Sequence, residues 1–548
     1  MQSVRNAARI ALGSAAWSDR RCATTLSSFG TQVTACCSSV LLLVCGLMLQ
    51  PVWATNDDVA LAMLGSGFGI ADTPTSQLVF AHPLYGVALI ALTPVLGTAT
   101  HGWLTIIGLM LASAVLGLAL SPLRFGWMAL AACWFALLLP ATLSPQFTVT
   151  SGLLFAAGAA WFIAEGQGRR RCVMAISALV FAFILRPESF YLGFLLLAPV
   201  LLVRQPWRAG RPRELLLICL TIIVIGAATD WLWLQAQPSW KEAFRANSLR
   251  AVFTDFHRVP WISGSPAYQT AGWTKLDYTV FMDWYPYHEI FSPDRLAALI
   301  KAVARPPLVP TVAAWSAWFA MPWGWNQITL ALGAVLALGL AIRPWSCSLA
   351  WAAGALVCLA LLGWSGRPPL ERVWLALLGI TGFAAAALSV RAAGRRGQGI
   401  AILLSLLIAA AVTEHAITDH ETRLAAARKY QGWLMEHPFP AGKPVVVWAA
   451  ALKYEWVVPV LTAHNPFPRP GIIGIGALAD SPVQREVRER LGITDVSAWL
   501  CGGPGTTLVA LDRQIPLLTQ FCSERMGSAP AVRLIAHYDV TDIYELSR

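Results

Sequence analysis

Long apolar runs without charged residues recur along this 548-residue chain, and they limit its possible folds more than any other feature. Soluble domains are rarely more than half hydrophobic and do not repeat uncharged runs of about 17–22 residues. This chain is 57% hydrophobic and only 13% charged. Because lipid forces the backbone to satisfy its own hydrogen bonds, the runs predict helices. The sequence therefore predicts a polytopic α-helical membrane protein with about 11–12 membrane segments and a C-terminal extramembrane α/β domain. The candidate segments are 33–54, 78–98, 102–120, 126–142, 151–165, 172–186, 190–203, 214–236, 322–342, 347–364, 369–390 and 398–415.

Arginine-rich stretches between the apolar runs indicate the side of the membrane on which each loop lies. The stretches at 168–171, 204–213 and 391–397 are short and basic, as cytoplasmic loops are. These loops explain the net charge of +11, so the charge does not indicate a nucleic-acid partner. The basic tail at 1–32 is expected to be cytoplasmic and the first span uncleaved, because its apolar run is too long for a signal-peptide core.

The same charge pattern raises one question of parity. If the acids after the first span lie outside and the stretch at 168–171 inside, the segments from 78 to 165 must cross the membrane an odd number of times. Four segments are present in that range. We therefore expect either 78–98 or 102–120 to re-enter or to lie obliquely.

Two hydrophilic regions divide the chain into parts. The transmembrane module is expected to cover 33–415, with a first external loop at 55–77 and a large external loop at 237–308. Residues 416–548 are expected to form a periplasmic α/β domain, since β-branched runs such as PVVVWAA at 444–450 accompany a helical pattern with a serine start and a glycine stop.

Cys501 and Cys522 are the only cysteines of the C-terminal region. If that region faces an oxidising compartment, the two could form a disulfide. Spacing does not establish the required geometry, so two unpaired buried thiols are the alternative.

Asp57 and Asp58 stand side by side directly after the first apolar run. An ionised carboxylate at the end of a span is costly unless water, a partner or a metal stabilises it. One interpretation is a helix cap that faces water, assisted by Asn56. The other is a functional acid at the membrane surface. The following Gly-rich stretch, which we expect to lie along the interface, and the HPLYG motif at 82–86 favour the second.

This arrangement resembles the GT-C class of integral membrane glycosyltransferases, which use polyprenyl-phosphate-linked sugars as donors. The resemblance extends to FILRPESFYLG at 183–193, since RPE or RPD between two apolar segments recurs in the class, and to the order of spans, external loop and external domain. It covers most of the chain but assigns no subfamily, so neither sugar nor acceptor is implied. It implies a bacterial cytoplasmic (inner) membrane protein whose active site lies on the external side. The implied partners are the lipid-linked donor, membrane lipids, and a glycan, lipid or protein acceptor.

The class implies that a first-loop acid acts as catalytic base or as metal ligand, a role that maps to Asp57 or Asp58. We favour Asp58 as the base and Asp57 as an orienting group or as a ligand of Mg²⁺ or Mn²⁺; no other cofactor is expected. Attack by a hydroxyl on an anomeric carbon requires a group to accept its proton, and two adjacent like charges raise one carboxyl pKa. The leaving lipid phosphate is already a stable anion, so a second, protonating acid is not obligatory.

A phosphate leaving group also needs cations near the membrane surface. Arg186 and Glu188 lie between two apolar segments of about 14 residues, too short to span comfortably, which predicts a hairpin with RPE at its tip. An ion pair that only shields the turn is the alternative. Aromatic residues of the large loop could stack on sugars or anchor the loop at the interface. The other candidate substrate-binding residues are His82, Arg250, Lys275, Asp277, Tyr278, Arg305, Arg367 and Arg372, and we favour the arginines at 305, 367 and 372 for phosphate.

Two other functions stay open at this stage. A polysaccharide polymerase or ligase that uses lipid-linked oligosaccharide would depend on Arg and His of a large external loop rather than on first-loop acids. A transporter or flippase usually has inverted repeats and broken helices in matching positions, which this sequence lacks. Nucleotide hydrolysis is unsupported because there is no P-loop motif, and neither CxxC nor HExxH occurs.

Overall fold

The computed structural model describes most of the chain, with several gaps. The described residues are 30–121, 126–163, 169–203, 211–305, 353–354, 357–358, 361, 395–440, 443–467, 471–503, 505–539 and 541–547. Within them the protein is mostly helical, and its strands form one five-stranded sheet in the C-terminal region.

Four helical stretches of the described part are long and apolar enough to cross a membrane: Gly30–Leu49, Pro83–Leu120, Gly126–Leu143 and Arg213–Gln235. Two shorter apolar helices, Phe147–Phe162 and Cys172–Leu185, accompany them. Together with the C-terminal sheet, they confirm the predicted class, a multi-pass helical membrane protein with an extramembrane α/β domain. The predicted spans 322–342 and 369–390, and most of 347–364, lie outside the described residues.

The elements are numbered here in chain order. The helices are α1 (Gly30–Leu49), α2 (Asn56–Ser66), α3 (Pro83–Leu96), α4 (Thr100–Leu120), α5 (Gly126–Leu143), α6 (Phe147–Ile163), α7 (Arg169–Leu185), α8 (Pro187–Val203), α9 (Arg211–Gln235), α10 (Pro238–Thr254), α11 (Pro266–Ala271), α12 (Lys275–Met282), α13 (Pro293–Val303), α14 (Arg395–Glu436), α15 (Tyr454–Val457), α16 (Pro482–Arg490), α17 (Val496–Gly502) and α18 (Gln514–Phe521). The strands are β1 (Val445–Trp448), β2 (Ile473–Ile475), β3 (Thr506–Ala510), β4 (Ala531–Tyr538) and β5 (Thr541–Ser547).

The apolar stretch of α3 and α4 folds back on itself. The break lies at Gly97, whose φ of 60° is in the left-handed region. A straight helix would place residues sixteen positions apart about 24 Å from each other. Tyr85 and His101 are instead hydrogen-bonded at 2.8 Å. With only 14 residues, α3 is shorter than the roughly 20 that a crossing needs. That α3 re-enters or lies obliquely stays a prediction, and its length agrees with it.

Helices α7 and α8 meet at Arg186, where the sequence predicted the tip of a hairpin. Pro187 starts α8 because its missing N–H is not needed at the first position of a helix. The centroid of the Phe183 ring lies 5.5 Å from that of Phe190 and 5.9 Å from that of Tyr191. In a straight helix, residues seven or eight positions apart are separated by about 10–12 Å along the axis. The chain therefore bends sharply at Arg186. Each helix has 17 residues, slightly more than the sequence suggested.

Helix α14 connects the membrane part to the C-terminal domain without a linker. It has 42 residues and is about 63 Å long, so it passes straight through the boundary predicted at residue 416. Near its end Tyr430 and Trp433 pack on Tyr538 of β4, with ring centroids 5.2 and 5.5 Å from it. The two parts are thus joined by one continuous helix that both of them hold.

The C-terminal sheet has the order β2-β1-β3-β5-β4. Strand β1 pairs in parallel with β2 and β3, with Val446 opposite Ile473 and Leu508, while β5 runs antiparallel to β3 and β4. All four residues of β1 are buried, as expected for a β-branched run at the centre of a sheet covered on both faces. Cys501 and Cys522 are disulfide-bonded beside it.

The large external loop and the C-terminal domain share one hydrophobic core. Trp273, Tyr285 and Tyr287 of the loop are at most 6% exposed and lie inside that core, so they neither stack on sugars nor anchor the loop to lipid. Trp448 of β1 donates a hydrogen bond from Nε1 to the Asp283 carbonyl at 2.7 Å. The loop is therefore half of a composite extramembrane domain.

The Gly-rich end of the first loop packs against this domain instead of lying along the interface. Gly69 has a φ of 62°, and its carbonyl accepts the Ile472 N–H at 2.8 Å. The Gly471 N–H donates to Asp72 Oδ1 at 2.7 Å. A side chain on Gly471 would collide with the Gly69 carbonyl, so glycine is required at this close approach. The C-terminal domain thereby fixes the Gly-rich end of the first loop.

Candidate active site at the first external loop

Helix α2 carries both acids of the first loop in its first turn. It begins after Thr55, which is extended with φ −145°, and the positive end of the helix dipole stabilises carboxylates there. Because adjacent helical residues point about 100° apart, the two acids face different surroundings. Asp58 is fully buried, whereas Asp57 is half-buried.

Asp58 binds two donors that fix the surrounding structure. Thr55 Oγ1 donates to Oδ2 at 2.7 Å, and the Phe147 backbone N–H donates to Oδ1 at 2.8 Å. Phe147 is the first residue of α6, so Asp58 caps a helix that is distant in sequence. This carboxylate joins the first loop to the membrane helices.

A buried aromatic group completes the surroundings of Asp58. His101 Nε2 lies 3.6 Å from Asp58 Oδ1, and its other ring nitrogen is hydrogen-bonded to the Tyr85 hydroxyl. With Tyr85 as the donor, the His101 proton is on Nε2 and faces the carboxylate. Trp53 stacks on the imidazole, with the rings 5.1 Å apart and nearly parallel. Because all four side chains are almost fully buried, they hold one arrangement.

Burial raises the pKa of the Asp58 carboxyl, and the nearby His101 ring, then Thr55 and the Phe147 N–H, oppose that rise. A carboxylate that is fully enclosed and already bonded cannot reach an acceptor hydroxyl in this arrangement. Asp58 therefore holds the first loop against α6, and Asp57 is the acid of the pair with more access to solvent.

The C-terminal domain brings to the first loop a second acid that the sequence analysis missed. Glu455, on α15 of the C-terminal domain, donates its backbone N–H to Asn56 Oδ1 at 3.2 Å. Burial raises the pKa of the Glu455 carboxyl, Lys453 and the more distant Arg423 lower it, and the charge of Asp57 raises it further. Only tertiary contact brings Glu455 to the first loop, so no local sequence pattern could have revealed it.

Arg186 lies at the tip of the α7–α8 hairpin, as predicted. Its Nη1 donates to the Phe80 carbonyl at 2.7 Å, and its Nε lies 3.1 Å from Glu188 Oε2. The guanidinium also lies over the Phe80 and Phe147 rings, 5.6 and 5.2 Å from their centroids. The Arg186 side chain is 14% exposed and that of Glu188 is 61% exposed. The Arg186 guanidinium is thus held in place, mostly buried, and its partner Glu188 is exposed to solvent.

Asp58 of the first loop and Arg186 of the RPE motif both contact Phe147. The backbone N–H of this residue binds Asp58, and its ring lies under Arg186. Ser151 and Ser189 join the α6 and hairpin backbones around it, the latter through Ser189 Oγ donating to the Thr148 carbonyl at 3.2 Å. Two motifs that are separate in sequence therefore form one site, which we call the Phe147 site.

His82 has a structural role rather than the predicted role in substrate binding. It is 2% exposed. Its Nδ1 accepts the Leu84 N–H at 3.3 Å, which caps α3, and its Nε2–H donates to the Gly226 carbonyl of α9 at 3.1 Å. Both ring nitrogens are occupied, so His82 connects helices at the edge of the Phe147 site.

The predicted residues of the large loop do not reach the Phe147 site. Asp277 is fully buried, caps α12 with Thr274 and is paired with Arg525, so it is not available to an acceptor. Tyr278 donates its hydroxyl to the Val259 carbonyl at 3.0 Å. The remaining predicted residues there are exposed at the surface: Lys275 and Arg305. Arg250 is different, since it is 6% exposed and lines a cleft of its own.

Three predictions concern residues or ligands beyond these contacts. Arg367 and Arg372 lie outside the described residues. Among the residues that the structure describes, no three or more His, Cys, Asp or Glu side chains are grouped so as to hold a metal ion. Besides the buried Asp58, Glu455 is the acid whose carboxyl pKa the charge of Asp57 affects.

Comparison with known proteins finds similarity in three dimensions only. No family model matches the chain, and no curated protein matches it. Among solved structures, the chain is similar to ArnT from Cupriavidus metallidurans in the apo state, with 16% identity, coverage of 92% of this chain and 96% of that chain, and a TM-score of 0.44. It is also similar to the same protein bound to undecaprenyl phosphate, with 15% identity, coverage of 94% and 97%, and a TM-score of 0.42. The similarity extends over nearly the whole of both chains.

Proposed function

We propose that the protein transfers a sugar from a polyprenyl-phosphate carrier to a hydroxyl group of an acceptor at the external face of the bacterial inner membrane. The observation that carries the proposal is that Asp58 of the first loop and Arg186 both contact Phe147. A lipid-borne donor has to be bound where the bilayer meets water. Phe147 begins the apolar helix α6 and Arg186 follows the apolar helix α7, which supports such a position for the Phe147 site.

In the proposed reaction the acceptor oxygen attacks the anomeric carbon of the donor. The bond from that carbon to the phosphate oxygen breaks, and the polyprenyl phosphate leaves with the electron pair. The acceptor proton passes to the Asp57 carboxylate, the acid of the pair that has access to solvent. Asp58 keeps the first turn of α2 in position through its bonds to Thr55 and Phe147.

Arg186 is the group that receives the phosphate in this proposal. Its guanidinium is fixed by the Phe80 carbonyl and two aromatic rings, so little conformational entropy is lost when an anion binds. Glu188 is 61% exposed, and a phosphate at the surface can replace it as the partner of Arg186. The start of α8 lies beside this cation and adds favourable dipole charge for an anion.

A divalent ion is compatible with this arrangement only together with the donor. Mg²⁺ is commonly held by one or two carboxylates and by substrate phosphates, and it keeps several waters. Asp57 and Glu455 are the two carboxylates that would hold it here. The ion would supply positive charge for the departing phosphate, the same contribution that Arg186 makes.

The test is a transfer assay with purified protein in lipid nanodiscs and a panel of undecaprenyl-phosphate-linked hexoses and pentoses. Release of undecaprenyl phosphate and movement of labelled sugar to bacterial glycolipids are measured, with and without chelator. The proposal expects turnover with at least one donor and a loss of about 10²- to 10⁴-fold in kcat for Asp57→Asn. The matched control is Asp419→Asn, an exposed acid of α14, which should keep full turnover. Full activity of Asp57→Asn would refute the assigned base, and no turnover with any donor would refute the function.

A further inference from the structure

A second cavity lies in the composite extramembrane domain, between α10 and the β2–α16 connection. It is an open cleft of about 470 Å³, counting the solvent in its mouth. Trp240 and Phe244 of α10 and Phe281 of α12 contribute aromatic surface, while Asn247, Arg250 and Asp480 contribute polar groups. Aromatic walls with a few converging polar groups are the usual composition of a small-molecule site.

Arg250 is held in this cleft with one donor unused. Arg250 is only 6% exposed. Its Nη1 donates to Thr254 Oγ1 at 3.1 Å, and its Nη2 donates to the Asn247 side-chain oxygen. The guanidinium stacks on Trp284, with 3.9 Å to the ring centroid. Its Nε–H is buried and has no hydrogen-bond partner among the described residues. A buried donor that is left unpaired costs free energy, which a ligand oxygen in the cleft would recover.

The charges of the cleft favour a neutral ligand. Among the described residues that line it, Arg250 and Asp480 are the charged ones, with opposite signs. Each also has a nearby opposite charge: Arg488 and Arg485 attract Asp480, and Asp255 attracts Arg250. An added anion would gain from the arginine but would be repelled by the aspartate. A sugar ring fits better, because its hydroxyls can accept from Arg250 and donate to Asp480 while its C–H face lies on an aromatic wall.

Two adjacent residues border the cleft and the Phe147 site. Val79 lines the cleft, and the carbonyl of the next residue, Phe80, accepts Arg186. Adjacent Cα atoms are about 3.8 Å apart, so one short segment borders both places. We propose that the cleft binds a neutral sugar unit of the acceptor glycan and thereby holds the acceptor beside the Phe147 site. The acceptor role rests on the proposed function, whereas the binding of neutral sugars can be measured by itself.

The experiment is saturation-transfer difference NMR on the full-length protein in nanodiscs, without any donor lipid. The probes are methyl glycosides of glucose, galactose, mannose and arabinose, with methyl glucuronide and glucose 6-phosphate as anionic comparators. We expect at least one neutral glycoside to bind more tightly than either anion. Asp480→Asn should weaken its Kd about tenfold, because hydrogen bonds to a charged acceptor are lost. Phe244→Leu, which keeps apolar volume but removes the aromatic face, should weaken it about fivefold.

The matched control is Asp294→Asn, which makes the same change at an exposed acid of the same domain outside the cleft, and it should bind like the wild type. No binding of neutral glycosides, tighter binding of the anions, or unchanged Kd in both cleft variants would overturn the proposal. If Asp57→Asn loses transfer but still binds the sugar, the Phe147 site and the cleft have separate functions, as proposed. Established transfer without sugar binding in the cleft overturns only this inference.

Discussion

The division of labour between the two adjacent aspartates gives a sharp test of the structure. Asp58→Ala removes the acceptor for Thr55 and for the Phe147 N–H, and it leaves His101 without its carboxylate. Hydrogen bonds to a charged group contribute about 1.5–3 kcal/mol each, but removing the buried charge recovers part of its desolvation cost. We therefore expect the free energy of unfolding to fall by about 3 kcal/mol.

Two matched variants turn this expectation into an order of stabilities. Asp58→Asn keeps an oxygen that can accept the Phe147 N–H, so it should lose only about 1 kcal/mol. Asp57→Ala changes a half-buried neighbour of the same type and should lose less than about 1 kcal/mol. Unfolding of the full-length protein in detergent micelles can be followed by the fluorescence of its 25 tryptophans. The expected order is wild type, Asp57→Ala, Asp58→Asn, Asp58→Ala.

In the transfer assay, we expect the change at Asp57 to lower turnover more than the conservative change at Asp58. Asp57→Ala should fold and lose turnover, whereas Asp58→Asn should keep measurable turnover at temperatures below its melting point. The reasoning is wrong if Asp57→Ala destabilises the protein as much as Asp58→Ala. It is also wrong if Asp58→Ala unfolds at the same point as the wild type, because the buried contacts of Asp58 would then contribute nothing to stability.

Three further predictions concern the groups around the site and the domain above it. Burial raises the pKa of Glu455, so the folded state binds that proton more tightly than the unfolded chain does. The free energy of unfolding should therefore fall as the pH rises above the ordinary value of 4.5 towards the raised pKa. Thermal melts across this pH range measure the slope, and Glu455→Gln should flatten it. Glu188→Gln removes the competitor for Arg186, so the KM for the lipid donor should fall about two- to fivefold with kcat unchanged; a higher KM would contradict phosphate binding there. Arg525→Gln leaves Asp277 buried without its cation and should cost about 2–3 kcal/mol in unfolding experiments, less than for a fully enclosed pair because Arg525 is partly exposed; an unchanged melting curve would contradict this structural role.

Local patterns in the sequence were enough to predict the class of fold and two parts of the site. Uncharged apolar runs can be stable only in lipid, so the membrane helices followed from composition and spacing alone. The helix break at Arg186 followed from the short apolar segments on either side of it, and the acidic pair in the first turn of α2 was visible directly after the first apolar run. These predictions succeeded because they depend only on contiguous residues.

Tertiary structure decided what each predicted residue does. The sequence pointed to both first-loop acids, but only the contact with Phe147 made Asp58 a buried cap and left Asp57 accessible. Asp277 became a structural ion pair through Arg525, and the loop aromatics became core because the large loop folds against the C-terminal sheet. The contact of Glu455 with Asn56 and the cleft around Arg250 likewise join distant parts of the chain. Burial and partnership depend on which distant segments meet, and these determine whether a charged side chain supports the fold or faces a substrate.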